Sequence, residues 1–270
     1  MSVLADYGVN EYIYKILNKS QNKTEQVYLL LSARGFLLDY QNSNIYLSDN
    51  SARKDINDLA LVLKEGNVGC LENSKIILND SIDFDYLKNL FKLFNSISHE
   101  VEFHMNYKWS KSFGNREHGI KVPVLDLEPF IARYIKAISS IGLLTTYSCD
   151  GNHTYPNGCL HIKFKDRYSA VWHDIINGKI INDNINQSFN WIYSDDCIDA
   201  KIKFTEANRL DCYYELLCRA NYLYDNRKSL RNLKRNLVKL LNNKPKNMLS
   251  NSEIYNLMNK SYFEIAHNQN

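Results

Sequence analysis

The stretch HIKFKDRYSAVWHDI at residues 161–175, with its echo KIKFTEANRLDCYYEL at 201–216, decides how this chain is read. Each begins with polar and apolar residues in alternation and runs into Ile-Lys-Phe, the pattern of a β-strand with one buried face. Each then meets an acid, Asp166 or Glu206, and passes into apolar residues at helical spacing. A further short run precedes each copy, LLTTYS at 143–148 and FNWIYS at 189–194. The unit is therefore strand, turn, strand, helix, used twice. Such units build an α+β fold, with a mixed or antiparallel sheet carrying helices on one face.

Working outward, Val101, Phe103, Met105, Tyr107 and Trp109 alternate with Glu102, His104, Asn106 and Lys108, which predicts a strand. Ile120 to Leu125 is predicted as a second strand. Asp126 is then expected to cap a helix that has Glu128 and Pro129 in its first turn, buries Phe130, Ile131, Tyr134, Ile135 and Ile138, and ends at Gly142. The helix after the first Ile-Lys-Phe is expected over Arg167 to Asn177, closed by Gly178. Residues 99–206 thus form the predicted α+β core.

Residues 1–98 read as a helical region, with stripes at Tyr12 to Leu17, Gln26 to Leu38, Ile56 to Leu63 and Tyr86 to Phe94, and short strands at 44–48 and 75–79. Residues 207–270 read as helical, basic and packed on the core. There Leu230, Leu233, Leu237 and Leu240 form one stripe, and Lys228, Arg231, Arg235 and Lys239 a neighbouring one. Pro245 breaks that helix, and Glu253 to Ala266 forms a last one.

Composition narrows the class. At 270 residues and 44% hydrophobic content the chain can bury a sizeable core. Its first residues lack the basic, then apolar, pattern of a secretory signal, and no run approaches a membrane span, so a cytoplasmic protein without a membrane partner is expected. Six cysteines scattered through so long a chain are expected to stay reduced thiols. The net charge of +3 hides an asymmetry, because residues 226–252 contain no acid.

The chemistry gathers at Thr146-Tyr147-Ser148-Cys149-Asp150-Gly151-Asn152-His153, a thiol and an imidazole at the end of a predicted strand. Four readings stand side by side. Cys149, His153, Cys159 and His161 offer a tetrahedral set of zinc ligands, which makes zinc the candidate cofactor. Alternatively Cys149 is a nucleophile activated by His153 or His118 and by turn N–H groups, with Asp150 or Asp126 orienting the imidazole. In a third reading the N–H groups of Cys149, Asp150 and Gly151 hold an anion, with Arg116, His118 and His161 completing a phosphate pocket and Ser148 and Lys163 on the substrate side. The fourth is hairpin chemistry alone, with Asp150 and Gly151 making the turn and Cys149 packing as a small apolar residue.

The stretch Ile141 to Phe164, IGLLTTYSCDGNHTYPNGCLHIKF, resembles a motif of uncharacterised bacterial and phage-associated proteins, Gly-(Ile/Tyr)-x-Thr-x-x-Ser-Cys-x-Gly-His followed by a strand. Thr145 or Thr146, Ser148, Cys149, Gly151 and His153 are the matched positions, with Asn152 standing between the glycine and the histidine. It is similar, more loosely, to the Ser-Cys motif of tRNA wybutosine-synthesis methyltransferases. The resemblance implies a nucleic-acid or phage-defence context.

Basic surfaces point the same way. Lys163, Lys165, Lys201 and Lys203 fall on the polar side of the two echoed strands, and Arg227, Lys228, Arg231, Lys234, Arg235 and Lys239 line one predicted helix, a pattern suited to phosphate backbones. The expected function is an enzyme acting on a nucleic acid or nucleotide around Cys149 and His153. The alternative is a non-catalytic protein that binds nucleic acid or a protein partner, its turn structural, with or without zinc.

Overall fold

A computed structural model describes residues 8–49, 51–92, 123–151, 158–181, 185, 189–195, 198–241 and 249–267. These form nine helices and two four-stranded antiparallel sheets. The order is α1 (Val9–Leu17), α2 (Lys23–Arg34), β1 (Leu38–Gln41), β2 (Asn44–Leu47), α3 (Arg53–Glu65), β3 (Gly69–Glu72), β4 (Lys75–Leu78), α4 (Phe84–Asn89), α5 (Pro129–Ser140), β5 (Thr145–Cys149), β6 (Gly158–Phe164), α6 (Arg167–Ile175), β7 (Ile192–Tyr193), β8 (Asp199–Phe204), α7 (Arg209–Asp225), α8 (Arg227–Leu241) and α9 (Asn251–His267). The α+β expectation holds, and among the described residues no helix is long and apolar enough to cross a membrane.

The duplicated unit is real in topology. β5, β6 and α6 are followed by β7, β8 and α7, and all four strands share one sheet in the order β5-β6-β8-β7. The central pairing sets Leu160 opposite Ile202, His161 opposite Lys201 and Ile162 opposite Ala200. Exchanging the two copies, 161 for 201 and its neighbours likewise, maps this register onto itself. The two halves of the sheet are thus related by a local two-fold through the His161/Lys201 pair.

The same wiring occurs a second time. β1, β2, α3, β3, β4 and α4 form a sheet in the order β1-β2-β4-β3. Each sheet is preceded by a helix, α2 or α5, that packs against it, and these two helices pack against each other. At the end of α2, Gly35 sits at φ +117, and a Cβ there would stand 2.9 Å from the Cβ of Ala132 on α5. Glycine therefore both ends α2 and lets α5 come close. One hydrophobic core runs through both units, from Val9 and Tyr12 to Met258.

Four local expectations are corrected. The helical stripe at 26–38 stops at Arg34, because Gly35 is left-handed, and Leu38 opens β1. Of the strand expected at 120–125, residues 123–125 are described, and Val124–Asp126 form a single 3-10 turn. Arg34, itself buried, holds that turn by donating to the Val124 and Leu125 carbonyls at 2.9 and 3.0 Å, and Asp55 accepts from the Val124 amide at 3.0 Å. Asp126 does not cap α5. Pro129 occupies the first helical position, where no N–H is needed, and forces Glu128 before it into an extended conformation, so the helix cannot start earlier. Gly178 does not close α6 either, since the chain continues from Ile176 to Ile181 as a π-helical turn. The strand expected at 101–109 and the break at Pro245 lie outside the described residues.

Candidate functional site

Cys149 ends β5, and the turn after it is clamped from three sides. Glu128 accepts a hydrogen bond from the Asp150 amide, Tyr213 donates its hydroxyl to the Asp150 carbonyl at 2.8 Å, and the Gly151 amide donates to the Cys149 sulfur at 3.3 Å. Gly151 lies at φ +72, and a Cβ on it would come within 2.6 Å of the Cys159 carbonyl oxygen, so only glycine fits beside the returning strand. Asp150 is buried with its turn.

This neighbourhood works against a thiolate. Burial pushes the Cys149 thiol up to about 12, and the Glu128 carboxyl adds to the effect, outweighing the Gly151 amide that pulls it down. Glu128 is itself raised to about 8, first by burial and then by Asp150 beside it. Of the turn N–H groups expected to activate Cys149, that of Gly151 does bind the sulfur, while burial and the neighbouring Glu128 oppose a thiolate. His153, His118 and Arg116 lie outside the described residues. Among the described residues no three His, Cys, Asp or Glu side chains come together as a metal site.

The cross-strand register sorts the remaining candidates by face. Cys149 lies opposite His161, and Tyr147 opposite Lys163. His161 lies opposite Lys201, Cys159 opposite Lys203, and Lys163 opposite Asp199. Because paired residues project to the same side, all of these share the more open face of the sheet, at whose β5 edge Cys149 is nevertheless buried. Ser148 is paired with the buried Ile162 and so belongs to the helix-backed face, opposite to the face of Lys163.

On the open face Lys201 and Lys203 are exposed and Lys163 is half-buried. Asp199 is the acid among these paired residues, and the His161 Nε2 engages it at 2.6 Å. The Tyr147 ring lies against the His161 ring, centroids 5.1 Å apart. Cys159 sits near enough to Lys201 and Lys203 for both ammoniums to pull its thiol down, although burial still raises it overall. The result is a cationic, partly aromatic face across two central strands.

The basic stripe of α8 divides differently. Arg227 pairs with Asp39 of β1 at 2.9 Å. Arg231 donates to the Ser140 carbonyl, and the buried Lys234 donates to the Gly142 carbonyl. The Ser140 carbonyl closes α5, where helix geometry leaves acceptors without intrahelical donors and the dipole favours a cation, and the Gly142 carbonyl lies two residues beyond. These three side chains hold the fold together. Burial brings Lys234 down to about 7. Lys228 and Arg235 remain on the exposed side, and the Lys239 side chain lies outside the described residues.

The sequence reading missed a buried polar network in the second unit. His173, fully buried on α6, has its Nε2 at 2.7 Å from the Tyr134 hydroxyl and its Nδ1 at 2.8 Å from the Tyr193 hydroxyl. Asn177 accepts from Arg219 at 3.0 Å and from the Trp191 indole at 3.2 Å, and Arg219 is held by Glu215 at 2.6 Å. Burial lowers His173 to about 3, so the imidazole is neutral. Its members come from α5, α6, the π-helical turn after it, the residues at 191–193 and α7, and no spacing in the chain marks them as partners.

Comparison with known proteins returns no matching family model, no matching curated protein and no matching solved structure.

Proposed function

We propose that the protein binds nucleic acid through the open face of the second sheet and that the Cys149 turn is a structural part of that sheet. The observation that carries this reading is the arrangement of Lys163, Lys201 and Lys203 with His161 and Tyr147 on one open face. Lys201 and Lys203 are alternate residues of β8 and so stand roughly 7 Å apart along the strand. Such a row can neutralise successive phosphates and release their counterions. Tyr147 adds a ring on which a base can stack. These contacts are to the backbone and to base faces, so the binding is expected to be tolerant of sequence.

A buried protonated thiol beside a raised carboxyl supports the structural role of the turn over a nucleophilic one. The experiment is a salt titration of binding to a mixed-sequence oligonucleotide. Three phosphate contacts give a logarithmic slope of roughly −2 on a single strand and about −3 on a duplex. Binding that does not weaken with salt, or no binding at low salt, contradicts the proposal.

A further inference from the structure

Away from that face, a cavity of about 230 Å³ opens between α6, β7 and α9. Ala170, Val171 and Asp174 form its α6 wall, and Tyr193 and Tyr255 stand on β7 and α9. We propose that this cavity binds a small organic cation, an alkylamine or quaternary ammonium.

Three observations support that choice of charge. Asp174 is the charged residue lining the cavity, and among the described residues none forms a hydrogen bond or ion pair with its carboxylate. Burial raises the Tyr193 and Tyr255 phenols, and the Asp174 carboxylate lies close enough to add to both, which puts it beside two aromatic rings. Carboxylate and ring faces together attract a desolvated cation, each ring contributing through its quadrupole.

The neighbouring groups do not supply the missing positive charge. His173, which holds the Tyr193 hydroxyl, is neutral. Arg167 is turned to the Asn251 side chain at 3.1 Å. The start of α9, which would otherwise favour an anion, is occupied by its own acid: Glu253 accepts from the Ser250 amide at 2.7 Å and the Ser250 hydroxyl at 2.6 Å, a capping box. The remaining walls are mostly apolar, so a cation that enters loses water and needs the carboxylate. The volume is below the range of drug-sized pockets, which limits the ligand to a few heavy atoms.

The test uses choline and its uncharged isostere 3,3-dimethylbutan-1-ol, titrated separately into the whole chain and followed by calorimetry and by broadening of the ligand methyl signals. Choline is expected to bind with a Kd on the order of 1 mM, and the alcohol about tenfold more weakly. Asp174→Asn should bring choline most of the way to the level of the alcohol, the rings keeping the remainder of the preference. Tyr255→Leu, which keeps the carboxylate and removes a ring, should weaken choline several-fold and leave the alcohol unchanged. Equal affinity of the native protein for both ligands, or no binding of choline, overturns the proposal, as does an Asp174→Asn protein that is folded and binds choline as the native does. Where Asp174→Asn does not fold, Tyr255→Leu decides, and unchanged choline affinity in that variant overturns the proposal equally.

Discussion

The two sheets of this protein share one wiring and differ in almost everything else. Both follow the strand order in which the second and fourth strands pair at the centre, and both lie behind a helix that packs on its counterpart. The first sheet turns its hairpins in the shortest way, through Asn42-Ser43 and Asn73-Ser74, all four with positive φ as two-residue turns between twisted strands require. The second uses longer connections at 150–157 and 194–198. The corresponding face of the first sheet sets Glu72 opposite Lys75 and engages Asp39 with Arg227, whereas that of the second sets Lys163, Lys201 and Lys203 against Asp199. A common backbone thus carries a balanced surface in one unit and a cationic one in the other, and function follows the side chains.

The interiors differ as well, and this contrast can be broken most forcefully. The second unit is tied by the His173 network, in which Glu215 depends on Arg219. Arg219→Ala takes the guanidinium away from that buried carboxylate and from Asn177, and a loss of about 3–5 kcal/mol of stability is expected. Chemical denaturation measures it, and a loss below about 1 kcal/mol would mean that the network relaxes around the gap.

A smaller effect, graded with pH, comes from the turn at Cys149. Glu128 has a folded pKa of about 8, above its ordinary value, so the folded state holds a proton that the unfolded chain gives up earlier. The stability this contributes is present in full below the ordinary carboxylate range and is lost as pH rises towards 8. The slope is on the order of 1 kcal/mol per pH unit within that window. Glu128→Gln keeps an acceptor for the Asp150 amide and removes the titration, so its unfolding free energy should gain on the native protein between pH 5 and pH 8. Parallel pH profiles for the two proteins would contradict this.

The smallest expected effect concerns α8. Lys228 and Arg235 are exposed, but they stand on a helix from which Arg227, Arg231 and Lys234 reach Asp39 and the carbonyls of Ser140 and Gly142. The double change Lys228→Ala, Arg235→Ala should alter oligonucleotide affinity less than about threefold. Lys234→Ala should instead lower the melting temperature, because it removes a donor from a buried carbonyl. A large loss of affinity in the first variant would move the interface from the sheet to the helix.

Much of the second unit was legible in the sequence because alternation is a local signal. The Ile-Lys-Phe echo predicted β6 and β8, the helices after them and their membership of one sheet. The first sheet was half legible. β2 and β4 contain the apolar runs NIYL and KIIL, but LDYQ and GCLE in β1 and β3 are four residues long with few β-branched side chains. Their pairing comes from the turns and from the neighbouring strand.

The roles of charged residues were the least legible. A helical wheel places Arg231 and Lys234 beside the leucine stripe, yet their partners are the carbonyls of Ser140 and Gly142, distant in the chain. The Cys149 motif was found for its chemistry, but burial raises its thiol most, and the acid that adds to it, Glu128, precedes it by a whole helix.

The most direct test of the account sets one sheet against the other. Lys201→Ala, Lys203→Ala and, separately, Lys75→Ala of the first sheet are titrated with salt against the same mixed-sequence oligonucleotide. The account predicts that the double variant weakens binding and reduces the salt slope by roughly 1.4 on a single strand or about 1.8 on a duplex, while Lys75→Ala changes neither. Equal slopes for the native protein and the double variant, or an equal loss from Lys75→Ala, would contradict it.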